Sequence, residues 1–189
     1  MSNFLWEFFK KPLETGAIAP SSITLSRLIT DSAHLPDKRC VVELGSGTGV
    51  FTKQLLREIS PKCVFFCLEI NPQFASDTRK NCPAATVYQA SGKEIKRYLS
   101  KHQKDSCDCI ISGLPWAAFP KRKQRELLEA VYGSLGKGGV FLTFAYIHGL
   151  LLPAGLKFRK MLKERFKNVQ MTSIVWKNLP PAFVYCCKK

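Results

Sequence analysis

Along most of this chain, short apolar runs of strand length alternate with longer stretches in which apolar residues recur every three or four positions. Residues 40–44, 63–68, 85–88, 107–112, 139–145, 169–176 and 183–187 read as strands, being runs of β-branched, aromatic or thiol side chains bounded by polar or turn residues. Between them, residues 23–33, 50–59, 71–81, 93–102 and 120–135 carry helical periodicity. A further helix is marked by the stripe Phe158, Met161, Leu162 and Phe166, with Lys157, Arg159, Lys160, Lys163 and Lys167 lying off it. Alternating strands and helices that end in a hairpin predict an α/β fold, a doubly wound and largely parallel sheet whose last strand is antiparallel.

The N-terminus adds one more periodic segment. Over residues 3–11, Phe4, Leu5, Phe8 and Phe9 share a helical face, Asn3, Glu7, Lys10 and Lys11 share the other, and Pro12 stops the helix. Trp6 flanks the apolar face. Such a helix suits packing on the domain's own core or anchoring at a membrane interface. Residues 14–22 then form a loop of small residues in which Ser21 or Ser22 can cap the helix at 23–33.

Composition narrows the classes. A chain of 189 residues with 46% hydrophobic and 23% charged residues is a single globular domain rather than a disordered or fibrous chain. Its apolar runs are too short to span a bilayer, the longest candidate being 147–152. Glu7, Lys10 and Lys11 break the N-terminal apolar run, so no signal peptide and a cytosolic location are expected. Eight cysteines fall mostly inside strands without a C-x-x-C pair, and His34, His102 and His148 show no ligand spacing with them. Buried thiols in a reducing compartment are expected, with no metal. The net charge of +15, from 29 basic against 14 acidic residues, points to an anionic partner, nucleic acid or an anionic membrane surface.

The candidate chemistry begins where the first strand ends. Val41-Val42-Glu43-Leu44 runs into Gly45-Ser46-Gly47-Thr48-Gly49, and a helix follows. Glycine tolerates positive φ and lets a ligand approach the backbone, while the helix start offers free N–H groups. The second strand ends in Glu69, placed as an acid that grips ribose hydroxyls in nucleotide-binding βαβ units. The spacing E-x-G-x-G-x-G departs from the G-x-G-x-x-G of dinucleotide sites.

This pattern is similar to motif I of the class I S-adenosylmethionine-dependent methyltransferases, with Glu69 resembling the acid that ends their second strand. The resemblance implies a seven-stranded Rossmann-like sheet preceded by N-terminal helices. It implies S-adenosylmethionine as cofactor, S-adenosylhomocysteine as product, and Glu43, Gly45, Ser46, Gly47, Glu69, Ile70, Ala90 and Ser91 as the cofactor-binding set. Many relatives place an aspartate at the turn after the third strand; this chain has Gln89 and Ser91 there.

Methyl transfer is an in-line displacement that needs positioning more than acid–base help. The carboxyl ends of the fourth and fifth strands supply candidates for that task. The carbonyls of Gly113 and Leu114 can orient an amine, and Trp116 and Tyr146 can hold a cationic head by cation–π contact. His148 can be a base, a phosphate contact or a solvated side chain.

Ser112-Gly113-Leu114-Pro115-Trp116 stands where nucleic-acid adenine and glutamine methyltransferases carry Asn/Asp-Pro-Pro-Tyr, but without the leading Asn or Asp. The whole chain instead resembles the bacterial phospholipid N-methyltransferases, which convert phosphatidylethanolamine to phosphatidylcholine. The matching stretches are residues 15–22, 43–49, 111–115 and 178–185. The resemblance implies a monomer that is peripheral on the inner face of the cytoplasmic membrane, with a phospholipid substrate and an anionic surface as partners. It divides the single domain 1–189 into a docking helix (1–11), a cofactor-covering loop and helix (12–36) and a Rossmann-like core (37–189). Alternatives are an ornithine-lipid N-methyltransferase, an rRNA adenine N6-methyltransferase and a silent lipid- or RNA-binding module. The intact glycine loop and Glu69 argue against the last.

Overall fold

In the computed structural model, residues 20–189 are described, with side chains from residue 23 onward. The expected helix over 3–11, and the loop over 14–22 as far as residue 19, lie outside the described residues. The first described element, α1 (Pro20–Ala33), starts on a proline, whose fixed φ and missing N–H suit a first helical turn. Ser21 and Ser22 therefore lie inside the helix instead of capping it.

The strands are β1 (Cys40–Leu44), β2 (Val64–Glu69), β3 (Thr86–Gln89), β4 (Cys107–Ser112), β5 (Leu135–Tyr146), β6 (Asn168–Met171) and β7 (Ala182–Lys188). The helices that follow α1 are α2 (Val50–Glu58), α3 (Pro72–Asn81), α4 (Ile95–Lys101), α5 (Lys121–Ser134) and α6 (Pro153–Arg165). All seven strands form one sheet in the order β3-β2-β1-β4-β5-β7-β6. Neighbours from β3 to β5 pair in parallel, and β7 is antiparallel to both β5 and β6. The strand order reverses between β1 and β4, the switch point at which such sheets open a crevice at their carboxyl ends.

The central strands are apolar on both sides because helices cover both faces. Val41, Phe65 and Cys109 pack with Leu25 and Ile29 of α1, Leu55 of α2 and Ala75 of α3. Their neighbours Val42, Phe66 and Ile110 pack with Ile95 of α4, Leu127 of α5 and Phe158 of α6. Each fully buried side chain of this size contributes about 1.5–3 kcal/mol relative to exposure. The helical part of the 12–36 segment is thus a core element, seated on the sheet through Leu25, Ile29 and Ala33.

Two strands differ by four residues or more at one end from the sequence expectation. β5 starts at Leu135, not residue 139, because Leu135 pairs with Cys107 directly after α5 and a register shift absorbs the following glycines. β6 ends at Met171, short of residue 176. There the Thr172 hydroxyl takes the N–H of Val184 at 3.0 Å, so a side chain replaces the carbonyl that would continue the ladder. Beyond Met171 the Thr172 N–H still donates to the Val184 carbonyl at 3.0 Å, and a bridge pairs Val175 with Ala182.

Candidate active site

The turn after β1 and the turn after β4 interlock at the switch point. Gly45 N–H donates to the Leu68 carbonyl and Gly113 N–H to the Leu44 carbonyl, each at 2.9 Å. A Cβ on Gly45 would lie 2.7 Å from Leu114 Cδ2, and one on Gly113 would lie 2.7 Å from the Gly45 carbonyl oxygen. Only glycine fits this approach. Gly47 differs: at φ +57 no atom of the described residues lies within 4 Å of its missing side chain, so its peptide is approachable from them.

Glu69, at the end of β2, is 6% exposed. Its Oε2 accepts the Gly47 N–H at 3.0 Å and its Oε1 accepts the Asn71 N–H at 2.8 Å. The carboxylate thereby ties the glycine turn to the start of α3, and each oxygen keeps a further lone pair for a ligand. Ser46 acts from beneath the turn. Thr78 Oγ1 donates to the Gly47 carbonyl at 2.8 Å, so Ser46 Oγ is the donor in its own 3.0 Å contact with that hydroxyl. Glu43 is fully buried, and its Oε2 accepts Thr52 Oγ1 at 2.7 Å and Cys67 Sγ at 3.2 Å. Its Oε1 has no partner among the described residues. Burial pushes this carboxyl up to about 7, and the Thr52 and Cys67 bonds pull the other way.

A cavity of about 260 Å³ opens in front of this turn. It gathers five residues of the expected cofactor set, Gly45, Glu69, Ile70, Ala90 and Ser91; Gly47 lies outside its lining and meets it through the bond to Glu69, and Glu43 and Ser46 support the turn behind it. Ser91 is itself occupied: its hydroxyl accepts the Lys93 N–H at 3.3 Å and its N–H goes to Glu94 Oε1 at 3.2 Å. Much of the lining is apolar, with Leu68, Phe74, Ala90 and Leu127 among its walls. These residues, with one carboxylate at the edge and an approachable glycine peptide, fit an adenosyl group. Sequence reasoning missed Asn71, Phe74, Phe119, Lys123 and Leu127. Asn71 and Phe74 had a signal in their position just after the acid of β2; the other three reach the cavity only through tertiary packing.

A second cavity of about 290 Å³ brings together Gly113, Leu114, Trp116, Tyr146 and His148, the whole expected catalytic set. It shares Gly113, Leu114 and Pro115 with the first, so these residues form a common wall. The Leu114 carbonyl takes the Trp116 N–H at 2.9 Å, while no hydrogen bond to the Gly113 carbonyl forms among the described residues. Phe144, Phe158, Phe183 and Tyr185 add aromatic walls, and among the described residues no carboxylate lines this cavity. Sequence reasoning placed Phe158 on a core stripe and missed all four as cavity residues.

Trp116 requires a correction. It is 3% exposed, donates Nε1–H to Ser112 Oγ at 3.0 Å, and stacks on Phe158 with centroids 5.1 Å apart. One ring face is covered by Phe158, so the indole is a wall of the cavity and a member of the core, not an open cation-π platform. Tyr146 is half-buried, and burial pushes its phenol up to about 12, so it stays protonated near neutral pH. Its ring lies parallel to that of His148, 5.6 Å between centroids, and His148 is exposed at the cavity's rim.

The cysteines take no part in either cavity's lining. All eight are free, and burial pushes Cys40 up to about 12 and Cys63 up to about 11, which keeps these thiols protonated. Among the described residues, no group of three or more His, Cys, Asp or Glu side chains is placed to hold a metal.

Residues 41–139 match the model of a methyltransferase domain. Over 188 residues the chain is 31% identical to an ornithine lipid N-methyltransferase of Singulisphaera acidiphila, covering 98% of this chain and 94% of that protein. An S-adenosylmethionine-dependent O-methyltransferase from Thermotoga maritima superposes with a TM-score of 0.69 at 16% identity, over 96% of this chain and 70% of that one. An O-methyltransferase from Bacillus cereus, solved with S-adenosylhomocysteine, superposes with a TM-score of 0.68 at 14% identity, over 100% of this chain and 92% of that one.

Proposed function

The chain belongs to the methyltransferase-domain family and uses S-adenosylmethionine, and on that premise we propose that its acceptor is the amine of a lipid head group. The observation that carries this reading is the second cavity. Its walls are aromatic and aliphatic, no carboxylate lines it among the described residues, and it meets the cofactor cavity at Gly113, Leu114 and Pro115. The full-length likeness to an ornithine lipid N-methyltransferase supports it. The acceptor is then the amine of ornithine lipid or of phosphatidylethanolamine, methylated by a peripheral enzyme on the cytoplasmic face of the membrane. No helix among the described residues is long and apolar enough to cross a membrane.

Within this reading the residues have separate tasks. Glu69 offers its remaining lone pairs to ribose hydroxyls, Leu68, Phe74, Ala90 and Leu127 enclose the adenine, and the peptide at Gly47 lets the methionyl part come close. Bound S-adenosylmethionine supplies an electrophilic methyl group. The Gly113 carbonyl accepts an N–H of the incoming amine and so aims its lone pair across the common wall. The neutral Tyr146 phenol bounds the acceptor, and no carboxylate among the described lining residues holds the amine in its protonated form, in which the lone pair is taken up by the proton. The proton lost from the methylated nitrogen leaves at the rim, where His148 is exposed to water.

Incubation of the purified protein with labelled S-adenosylmethionine and, separately, ornithine lipid, phosphatidylethanolamine and RNA tests the reading. Label in the lipid phase is expected. Label confined to RNA would replace the reading with the RNA alternative.

A further inference from the structure

The carboxyl edge of the sheet carries leucines that the catalytic reading leaves unused. Leu151 is 84% exposed, Leu152 51%, Leu156 48% and Leu179 85%. Leu151 and Leu152 follow the 3-10 turn Ile147–Leu150, and Leu156 stands at the start of α6. Leu179 belongs to the adjoining loop, which the Ile147 N–H holds through the Pro181 carbonyl at 2.9 Å. Leu152 also lines the acceptor cavity beside His148, so the exposed leucines continue to its mouth. Large side chains grouped in this way on a surface mark a contact face.

The same edge is basic where helix electrostatics disfavour it. α5 opens with Lys121, Arg122 and Lys123, followed by Arg125, all exposed and with no acid in the first turn. α6 also lacks an acid in its first turn and carries Lys157. Cations at a helix N-terminus oppose the macrodipole, so they are costly unless an anion lies in front of them. Both helices start just after β4 and β5 reach their carboxyl ends, which places these charges on the leucine-bearing edge.

We propose that this edge, built from residues 121–125, 151–157 and 179, is a bilayer-contacting face which seats the mouth of the acceptor cavity directly on an anionic lipid surface. The inference rests on the lipid-amine reading and adds the surface through which the substrate arrives. An RNA partner would account for the cations but not for the leucines; a bilayer offers phosphates to the first and hydrocarbon to the second.

The test uses the full chain and vesicles of phosphatidylglycerol mixed with phosphatidylcholine. A Leu151→Ser, Leu156→Ser double variant should partition onto these vesicles at least about tenfold more weakly. A Lys121→Glu, Arg125→Glu variant should lose a similar factor, about tenfold, at low salt and much less at high salt. Both should keep wild-type affinity for S-adenosylmethionine by calorimetry, which certifies the fold. With short-chain lipid amine dispersed as monomers, the leucine variant should turn over at the wild-type rate, while methylation of vesicle-borne lipid falls with binding. Unchanged vesicle binding by the leucine variant overturns the docking face, as does equal loss of activity on dispersed and vesicle lipid. If the wild-type protein methylates neither form, the lipid-amine reading fails, and the binding measurement alone decides the docking face.

Discussion

The carboxylate of Glu69 holds the N–H of Gly47 at 3.0 Å, joining the end of β2 to the glycine turn after β1 across the cofactor cavity's edge. One side chain thus shapes the turn and faces the ligand. Glu69→Ala should remove both effects. Loss of hydrogen bonds to a charged group costs about 1.5–3 kcal/mol, so affinity for S-adenosylmethionine should fall at least about tenfold. Calorimetry checks it; unchanged affinity in a folded variant would remove Glu69 from the site.

Gly45 and Gly47 should respond differently to substitution. At Gly45 φ is +74 and an added Cβ meets the Leu114 Cδ2 methyl at 2.7 Å, so Gly45→Ala should strain the backbone, shift the Leu114 side chain and lower the melting temperature. At Gly47 there is room, so Gly47→Val should fold with a backbone penalty of about 1–2 kcal/mol and lose cofactor binding by blocking the approach. Thermal denaturation run beside cofactor titration separates the two. A Gly47→Val protein that still binds would show that the ligand does not pass there.

Trp116 calls for two substitutions. Trp116→Ala empties a stacked core position and should cost about 3–5 kcal/mol, whatever the indole does for the acceptor. Trp116→Phe keeps an aromatic wall while losing the bond to Ser112 Oγ and part of the ring's volume, so in a folded protein its kinetics report on the cavity. In a folded Tyr146→Ala protein, kcat should drop while cofactor affinity holds. A parallel loss of cofactor affinity would merge the two cavities into one functional unit.

How legible the site was in the sequence depended on how local each feature is. β1 and β4 coincide with apolar runs bounded by turn residues, and the glycine turn and Glu69 lie one βαβ unit apart, so their meeting follows from topology. The five catalytic candidates meet in one cavity because all sit at or just past the carboxyl ends of β4 and β5. Phe158, Phe183 and Tyr185 were not, because an aromatic on a core-facing stripe looks the same whether it meets another side chain or a cavity wall. Trp116 was misjudged for a related reason: its flanking glycine and prolines read as an open loop, whereas its ring stacks on a helix some forty residues later. The early end of β6 depends on one hydroxyl, Thr172, whose choice of partner no strand pattern encodes.

Glu43 predicts a pH dependence of stability. Burial raises its carboxyl from 4.5 to about 7, so between these values the folded protein keeps a proton that the unfolded chain releases. By linkage, stability from this group is fully present below 4.5 and falls as pH rises toward 7, by about 1.4 kcal/mol for each pH unit crossed. Glu43→Gln, which cannot ionise, should flatten that decline. Urea unfolding of both proteins at pH 5 and pH 8 checks it, and equal pH slopes would show that Glu43 is ionised in the folded state across the range.

The central claim is that a lipid head-group nitrogen receives the methyl. Fragmentation mass spectrometry of ornithine lipid and phosphatidylethanolamine recovered after incubation with the protein and S-adenosylmethionine tests it most directly. The account predicts one or more added methyl groups carried by the head-group fragment of at least one of the two lipids, with the acyl fragments unchanged. Both lipids recovered unmodified, from a protein that binds S-adenosylmethionine in the same tube, would contradict it.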